Sequence, residues 1–546
     1  YHNAANLGYP VRGGDMSAVQ FKIETALAQL REAIDVLAPH AQAGVILLLN
    51  GIDHVEADPR VPAVIAEANA AFADVEIVQG ALTDYVAQVR AAAPDLPTVQ
   101  GEFNRSRYAY ALQGVYSSRM YLQQANARAQ TLLECYAEPL SAWAWLLGAR
   151  SPKPFLDLAW RTLIKNHPHD DICGCSVDSV HRENEARFEE VEQIGATVAR
   201  NSCRALIQHI DRTAQPGVPF VLFNPTARAR RETTTLDLQF EADDETAANF
   251  HLVTAGGDGV PLQVLERATL SEMEVNNWKT VQHVRVAVQA EAPGCGYRVL
   301  YALPGPAKPQ PEIEAPVLAL PQGMENDQLR VELRDDGTLD LLDKRTGRRF
   351  QGLAYLQDDE DAGDEYDYSP APHPKHITTV GEPAEIRRTH AGPLQVTYEI
   401  RHTLELPASL TPDRQQRSRA RVHCPVTSTV TLRADSARVD VHTVVENRAR
   451  DHRLRLCFPT DLSTDDASAD GHFDVLTRPI DLTGAEDWAQ PPSPTRHQRT
   501  FVDLTDGDAG LAIFNRGLAE YEVLHDDGRN TLAVTLLRCV GYLSRD

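Results

Sequence analysis

Cysteine is thinly spread in this sequence: eight thiols (Cys135, Cys173, Cys175, Cys203, Cys295, Cys424, Cys457 and Cys539) over 546 residues. That density excludes a disulfide scaffold, which crowds its bridges into a short chain, and points to a reducing, cytoplasmic setting. Long apolar runs are missing too. The longest aliphatic stretch is Val45–Leu49, against the roughly 20 residues that a spanning helix needs, so the chain does not read as a membrane protein. Basic residues are in deficit, with 53 Lys and Arg against 77 Asp and Glu for a formal net charge of -24. No cluster of Lys and Arg interleaves with aromatics, which argues against nucleic acid as a partner. The chain opens on Tyr1 without a basic and then apolar leader, and the reading expects a natural start further upstream.

What is present is a long chain with two contrasting halves. A chain of 546 residues exceeds one ordinary core and predicts several domains. Ile23, Leu27, Leu30, Ile34 and Leu37 recur at helical spacing within Met16–Ala38, with Asp15 placed to cap the start. Val45–Leu49 then reads as a buried strand, Pro62–Phe72 as a helix, Val75–Val78 as a second strand and Leu82–Ala93 as another helix. Alternation of this kind defines an α/β unit over residues 1–93, although two strands make an incomplete sheet. Ser117–Ala149, Phe155–Lys165 and Val177–Ile210 read as long helices, and 94–212 as a bundle of three. Past Pro216 the period falls to two, as in Val284, Val286 and Val288. The prolines between Pro304 and Pro321 form a stiff linker, dividing a small β-sandwich (213–303) from a large one (304–546). The fold class is therefore multidomain α+β: a partial α/β segment, a helical bundle, then β-sandwiches.

Three segments carry chemistry-bearing side chains. Asn166-His167-Pro168-His169-Asp170-Asp171-Ile172-Cys173-Gly174-Cys175-Ser176 sits between two helical patterns. Zinc takes three or four N, O or S ligands, and this run nominally supplies them. Its spacing matches neither CxxC nor HExxH, so a helix-connecting loop with a capping Ser176 and inert thiols stands beside the metal reading. Asn50-Gly51-Ile52-Asp53-His54 follows a buried strand, where α/β folds place catalytic loops, although Asp53 also suits a plain turn. Asp358 to Asp367 is strongly acidic. It reads most simply as a solvated loop, with a calcium site disfavoured by the absence of EF-hand spacing.

His169-Asp170-Asp171-Ile172-Cys173-Gly174, preceded by Lys165-Asn166-His167-Pro168, resembles the His-Asp motif of glycoside hydrolase family 38, the zinc-dependent retaining α-mannosidases, in its bacterial form. Further likeness lies in Ser117-Ser118-Arg119, Gln124-Ala125-Asn126, Leu222-Phe223-Asn224-Pro225, Glu325-Asn326 and Asp335-Asp336-Gly337-Thr338. The resemblance covers nearly the whole chain. It implies a β/α-barrel-like character for the α/β segment, a zinc cofactor with His169 as one ligand, and Asp170 reaching the sugar or orienting the metal shell. It implies Asp53 as the general acid/base, and Tyr366, within Gly363-Asp364-Glu365-Tyr366, as a sugar-binding residue.

The mechanism that the resemblance implies needs two carboxylates roughly 5 Å apart. Only Asp53 is identifiable; the nucleophilic Asp and a His-x-Asp pair of zinc ligands lie, in the family, upstream of the point matching Tyr1. The chain is thus expected to act on mannose-containing oligosaccharides as part of a hydrolase and to be inactive alone, with a truncated C-terminus as well. A non-catalytic carbohydrate-binding or assembly module is the alternative, and a metallohydrolase using the His167/His169 cluster alone a third reading. An incomplete α/β unit exposes sheet edge and apolar helix faces, which predicts homo-oligomerisation or disorder of residues 1–93.

Overall fold

The computed structural model of the chain describes residues 2–3, 7, 21–51, 56–92, 95–96, 98–104, 106–107, 109–274, 277–307, 311–313, 315–481, 483–526 and 529–542. The chain divides into two compact units, Tyr1–Glu102 and Phe103–Asp546.

In the first unit, His2–Asn3 pairs in parallel with Leu48–Leu49, and the helix Ile23–Leu37 lies between them in sequence. That is the β-α-β order expected of an α/β fold. The helix buries Ala26 and Leu30 against Val64 and Ala68 of the helix Val61–Ala71, and Leu82–Ala92 forms a third helix. The sequence reading differs in two places. The strand expected over Val45–Leu49 is confined to Leu48–Leu49. Val75–Val78 joins no ladder among the described residues; there the Asn69 side chain takes both backbone groups of Ile77, its amide donating to the carbonyl at 2.8 Å and its oxygen accepting from the N–H at 2.7 Å. A side chain thus does the work of a neighbouring strand. The expected cap Asp15 lies outside the described residues.

The second unit starts with an irregular segment leading into the helix Met120–Leu132, which widens into a π-turn at Leu133–Ala137 and continues as Glu138–Leu146. Pro139, at the second position of the continuation, has no N–H to give the preceding turn, and the π-turn accommodates that loss. Lys153–Ile164 and the 30-residue helix Asp178–Ile207 complete the helical layer. Leu122, Ala129, Leu133, Leu163, Phe188 and Val191 form its core. The first of these helices begins at Met120 rather than at Ser117 because Ser117 and Ser118 are buried, with their hydroxyls committed outside the helix.

Two sheets pack over Leu238, Phe240, Val284, Val286, Leu252 and Leu300. One joins Val218–Asn224, Gly296–Pro304, Phe250–Thr254 and Gly259–Val260, and the other joins Arg230–Glu241, Asn277–Ala292 and Leu262–Glu274. The remainder is four antiparallel sheets around one continuous core running from Val317 to Val534. Its six-stranded sheet is ordered Ile377–Thr378, Tyr355–Glu360, His452–Pro459, Arg529–Cys539, Glu520–Asp526 and Arg496–His497. No helix among the described residues is long and apolar enough to cross a membrane.

Candidate functional site

His169 opens a single helical turn, His169–Ile172, between the two long helices of the bundle. Its side chain is 88% exposed, and Nε2 stands 3.5 Å from Oδ2 of Asp170, which is 55% exposed. Two donors of the kind zinc accepts thus sit side by side and open to solvent. What lies beneath the turn is fixed. The Gln123 side chain donates to the Ile172 carbonyl at 2.5 Å, and the Ser118 hydroxyl donates to the carbonyls of Cys173 and Gly174. The Cys175 thiol donates to Asp170 Oδ1 at 3.5 Å. Asn166, fully buried, donates to the Asn184 carbonyl at 2.9 Å, and His181 accepts from the Ser176 N–H at 3.1 Å.

These surroundings sort the candidate ligands. His167 turns aside to bond Asn126 through Nε2 at 2.8 Å, and burial lowers its pKa. Burial and the adjacent Asp170 charge push the thiol of Cys173 up to about 11 and that of Cys175 up to about 12. Without a metal both are thiols at neutral pH, acting as packing and hydrogen-bonding groups. Among the described residues no three His, Cys, Asp or Glu side chains are grouped to hold a metal ion. The His169–Asp170 pair fits zinc as a partial donor set that needs further ligands.

The acidic segment corrects the expectation of a solvated loop. Asp358, Asp359, Glu360 and Asp361 are all buried, and each meets a base. Arg417 bridges Asp358 at 2.6 Å and Glu360 at 2.9 Å, Arg455 meets Asp359 at 2.7 Å, and Arg538 meets Asp361 at 2.5 Å. Tyr355–Glu360 is an inner strand of the six-stranded sheet, paired with His452–Pro459, which supplies Arg455; Arg538 comes from Arg529–Cys539 of the same sheet and Arg417 from outside it. Ionised carboxylates tolerate such burial only when paired. For Asp359, burial alone would raise the pKa, but the hydrogen bond with His376 and the charges of Arg455 and Arg453 hold it well below the usual carboxylate range.

Past Asp361 the chain leaves the sheet as a tight loop that carries Tyr366. Arg538 donates to the carbonyls of Asp364 and Asp367, and Arg414 to those of Asp361 and Gly363. The Asp367 carboxylate accepts from the Gly114 N–H at 3.0 Å and from Gln490 at 3.2 Å. Tyr366 is half-buried, and its N–H donates to Asp364 Oδ1. Gly363 has no room for a side chain, since a Cβ there would lie 2.0 Å from the Asp367 carbonyl oxygen.

His169 and Asp170 are thus brought together on one turn, and Tyr366 stands on a separate, rigid loop. Arg119 touches both segments, backing onto Gly174 and donating to Glu365 at 3.1 Å. Asp53 lies outside the described residues. The sequence reading missed the structural roles of Arg119, Arg414 and Arg538. Arg119 lies in a stretch singled out for its family likeness, but what the three arginines hold becomes visible only once the fold brings their partners together.

Residues 111–206 match the alpha mannosidase middle domain, and residues 324–542 match the C-terminal domain of the glycosyl hydrolases family 38. The first match contains the His169 turn, and the second contains the Tyr366 loop. The chain thus carries the middle and C-terminal domains of glycosyl hydrolase family 38. It resembles the crystal structure of an alpha-mannosidase from Enterococcus faecalis V583, with TM-score 0.83 and 30% identity over 95% of this chain and 62% of that one. A second solved protein of the family from Enterococcus faecalis gives TM-score 0.81 and 30% identity over 97% of this chain and 64% of that one. A protein of Halalkalibacterium halodurans, provisionally described as a mannosylglycerate hydrolase, is 28% identical over 92% of this chain and 60% of its own length. The chain therefore spans about three fifths of the relatives it matches.

Proposed function

We propose that this chain supplies part of the active site of a retaining α-mannosidase, with His169 as a zinc ligand, Asp170 and Tyr366 as sugar-binding residues and Asp53 as the general acid/base. The observation that carries the reading is the exposed His169–Asp170 pair, 3.5 Å apart on a turn held from beneath by Ser118 and Gln123. A rigid support of this kind is what a binding constellation requires, because a loosely held ligand loses its geometry.

Zinc, when bound, would supply a Lewis-acidic template for sugar hydroxyls. Asp170 is oriented by the Cys175 thiol and accepts hydrogen bonds from a hydroxyl of the sugar. Tyr366 presents an aromatic ring and a phenol from a loop that three arginines hold in shape. Asp53 gives its proton to the leaving glycosidic oxygen, which calls for a pKa raised towards neutrality by its surroundings. A retaining mechanism also needs a nucleophilic carboxylate roughly 5 Å from the acid/base. We assign that nucleophile and the remaining zinc ligands to sequence outside this chain, which on this reading is inactive alone. The substrate is a mannose-containing oligosaccharide or a small mannoside.

The test uses a protein extended to the full length of its relatives, assayed with zinc on an aryl α-mannoside and on mannosylglycerate. Expected is hydrolysis of at least one, abolished by His169→Ala and strongly reduced by Asp170→Asn. Hydrolysis of either substrate that is unaffected by His169→Ala would refute the assignment.

A further inference from the structure

We propose that Arg119 is a positioning residue that locks the His169–Asp170 turn and the Tyr366 loop into one rigid wall. The inference rests on the reading above that both segments serve the same sugar. Its physical basis is the connectivity of residues 114–123, which run beneath one segment and beside the other. Gly114 holds Asp367 of the loop. Ser118 and Gln123 hold the carbonyls of Ile172, Cys173 and Gly174 behind the turn. Ser117 donates to the buried Glu520 at 2.7 Å and so fastens the same segment to the six-stranded sheet.

Arg119 stands in the middle of this run, and its side chain is only 13% exposed. One guanidinium nitrogen donates to Glu365, next to Tyr366, at 3.1 Å. Another donates to the Ser176 carbonyl at 3.4 Å and to Asp178 at 2.6 Å, at the start of the long helix. The two arms are unequal. Asp178 is 78% exposed, so solvent screens that pair, whereas Glu365 is 9% exposed and its pair with Arg119 is little screened. The stem matters as well: Gly174, at φ +79°, lies so close that a Cβ there would stand 3.0 Å from Arg119 Cβ. A planar fork of five donors can serve two segments at once, which a lysine ammonium on its flexible stem cannot do with the same geometry. The segments meeting at Arg119 come from the two family matches, so this residue ties the middle domain to the C-terminal one.

Hydrogen exchange on this chain, without zinc or sugar, tests the proposal through Arg119→Ala, Arg119→Lys, Glu365→Gln and the Arg119→Ala/Glu365→Gln pair. Loss of a nearly buried charged hydrogen bond predicts amide exchange about tenfold faster in both 169–176 and 361–369 for Arg119→Ala. Lysine should restore it only in part, and the double variant should exchange no faster than Arg119→Ala. The decisive variant is Glu365→Gln, which keeps the fold and leaves the turn's own contacts untouched. Faster exchange at 169–176 in that variant supports the lock. An effect confined to 361–369 would overturn it, leaving Arg119 a local anchor of the helix. Because neither metal nor sugar takes part, a failure of the mannosidase reading shows up in the hydrolysis assay and not in this one.

Discussion

Asp361 and Arg538 form an ion pair 2.5 Å apart with both side chains wholly buried. Arg538 also holds the carbonyls of Asp364 and Asp367, so one guanidinium fixes both ends of the loop that carries Tyr366. Removing one partner leaves an uncompensated buried charge, which costs about 3–5 kcal/mol, whereas replacing both with apolar residues of similar volume costs much less. Arg538→Met should therefore destabilise the β-rich part by several kcal/mol in urea unfolding, and Arg538→Met/Asp361→Leu should recover most of that stability. The double variant should still lose the loop's protection from exchange, because the carbonyls of Asp364 and Asp367 have lost their donor.

Gly174→Ala tests the packing behind the His169 turn. The residue has φ +79° and Arg119 Cβ within reach of any added carbon. A non-glycine residue strained in this way costs about 1–3 kcal/mol. The expected result is a lower thermal midpoint together with faster exchange at 169–176. Gly148→Ala also replaces a positive-φ glycine, but with nothing within 4 Å of the new Cβ, and should lower the midpoint by less.

His376 and Asp359, 2.5 Å apart, predict a pH dependence of stability. The hydrogen bond to Asp359 raises the His376 pKa above its ordinary value of 6.5. A raised pKa contributes stability that is fully present below the unfolded value and lost as pH rises through the folded one. Asp359 is depressed, so its contribution is present above 3.8 and lost as pH falls through its folded value. The pair is therefore most stabilising between those two ordinary values. The thermal midpoint of His376→Gln should fall furthest below that of the parent at about pH 5, and the gap should narrow as pH rises through the raised value of His376. A gap that widened with rising pH would mean that His376 acts in its neutral form.

Thiol reactivity separates structural cysteines from exposed ones. Cys173 and Cys175 are held up to about 11 and about 12 by burial and the Asp170 charge, while Cys135 and Cys295 are exposed. An aromatic disulfide reagent at about pH 8 should label Cys135 and Cys295 quickly and the other two slowly. Rapid labelling of Cys173 or Cys175 would return them to the list of candidate metal ligands.

Helices were the most legible part of the fold, since an apolar stripe at 3.6-residue spacing survives in any context: Asp178–Ile207 lies within the expected Val177–Ile210. Boundaries shifted where side chains made long-range bonds, as at Ser117 and Ser118. Val75–Val78 forms no strand, and Asn69 takes the backbone groups of Ile77 there, an interaction that periodicity does not register. The His169–Asp170 pair was legible because its residues are contiguous. The burial of Asp358–Asp361 was not, since their compensating bases (Arg417, Arg455, Arg538) lie about 60 to 180 positions away and meet them only in the folded chain.

The most direct test of the central claim compares zinc-supplemented hydrolysis of an activated aryl α-mannoside by this chain and by a version extended upstream to the length of its relatives, each with and without Asp53→Ala. Activity is expected only in the extended protein, reduced about 100-fold or more by the substitution and rescued in part by a small external anion. Equal, Asp53-dependent activity in this chain would contradict the assignment of the nucleophile to sequence outside it. Inactivity of both proteins would contradict the mannosidase reading itself.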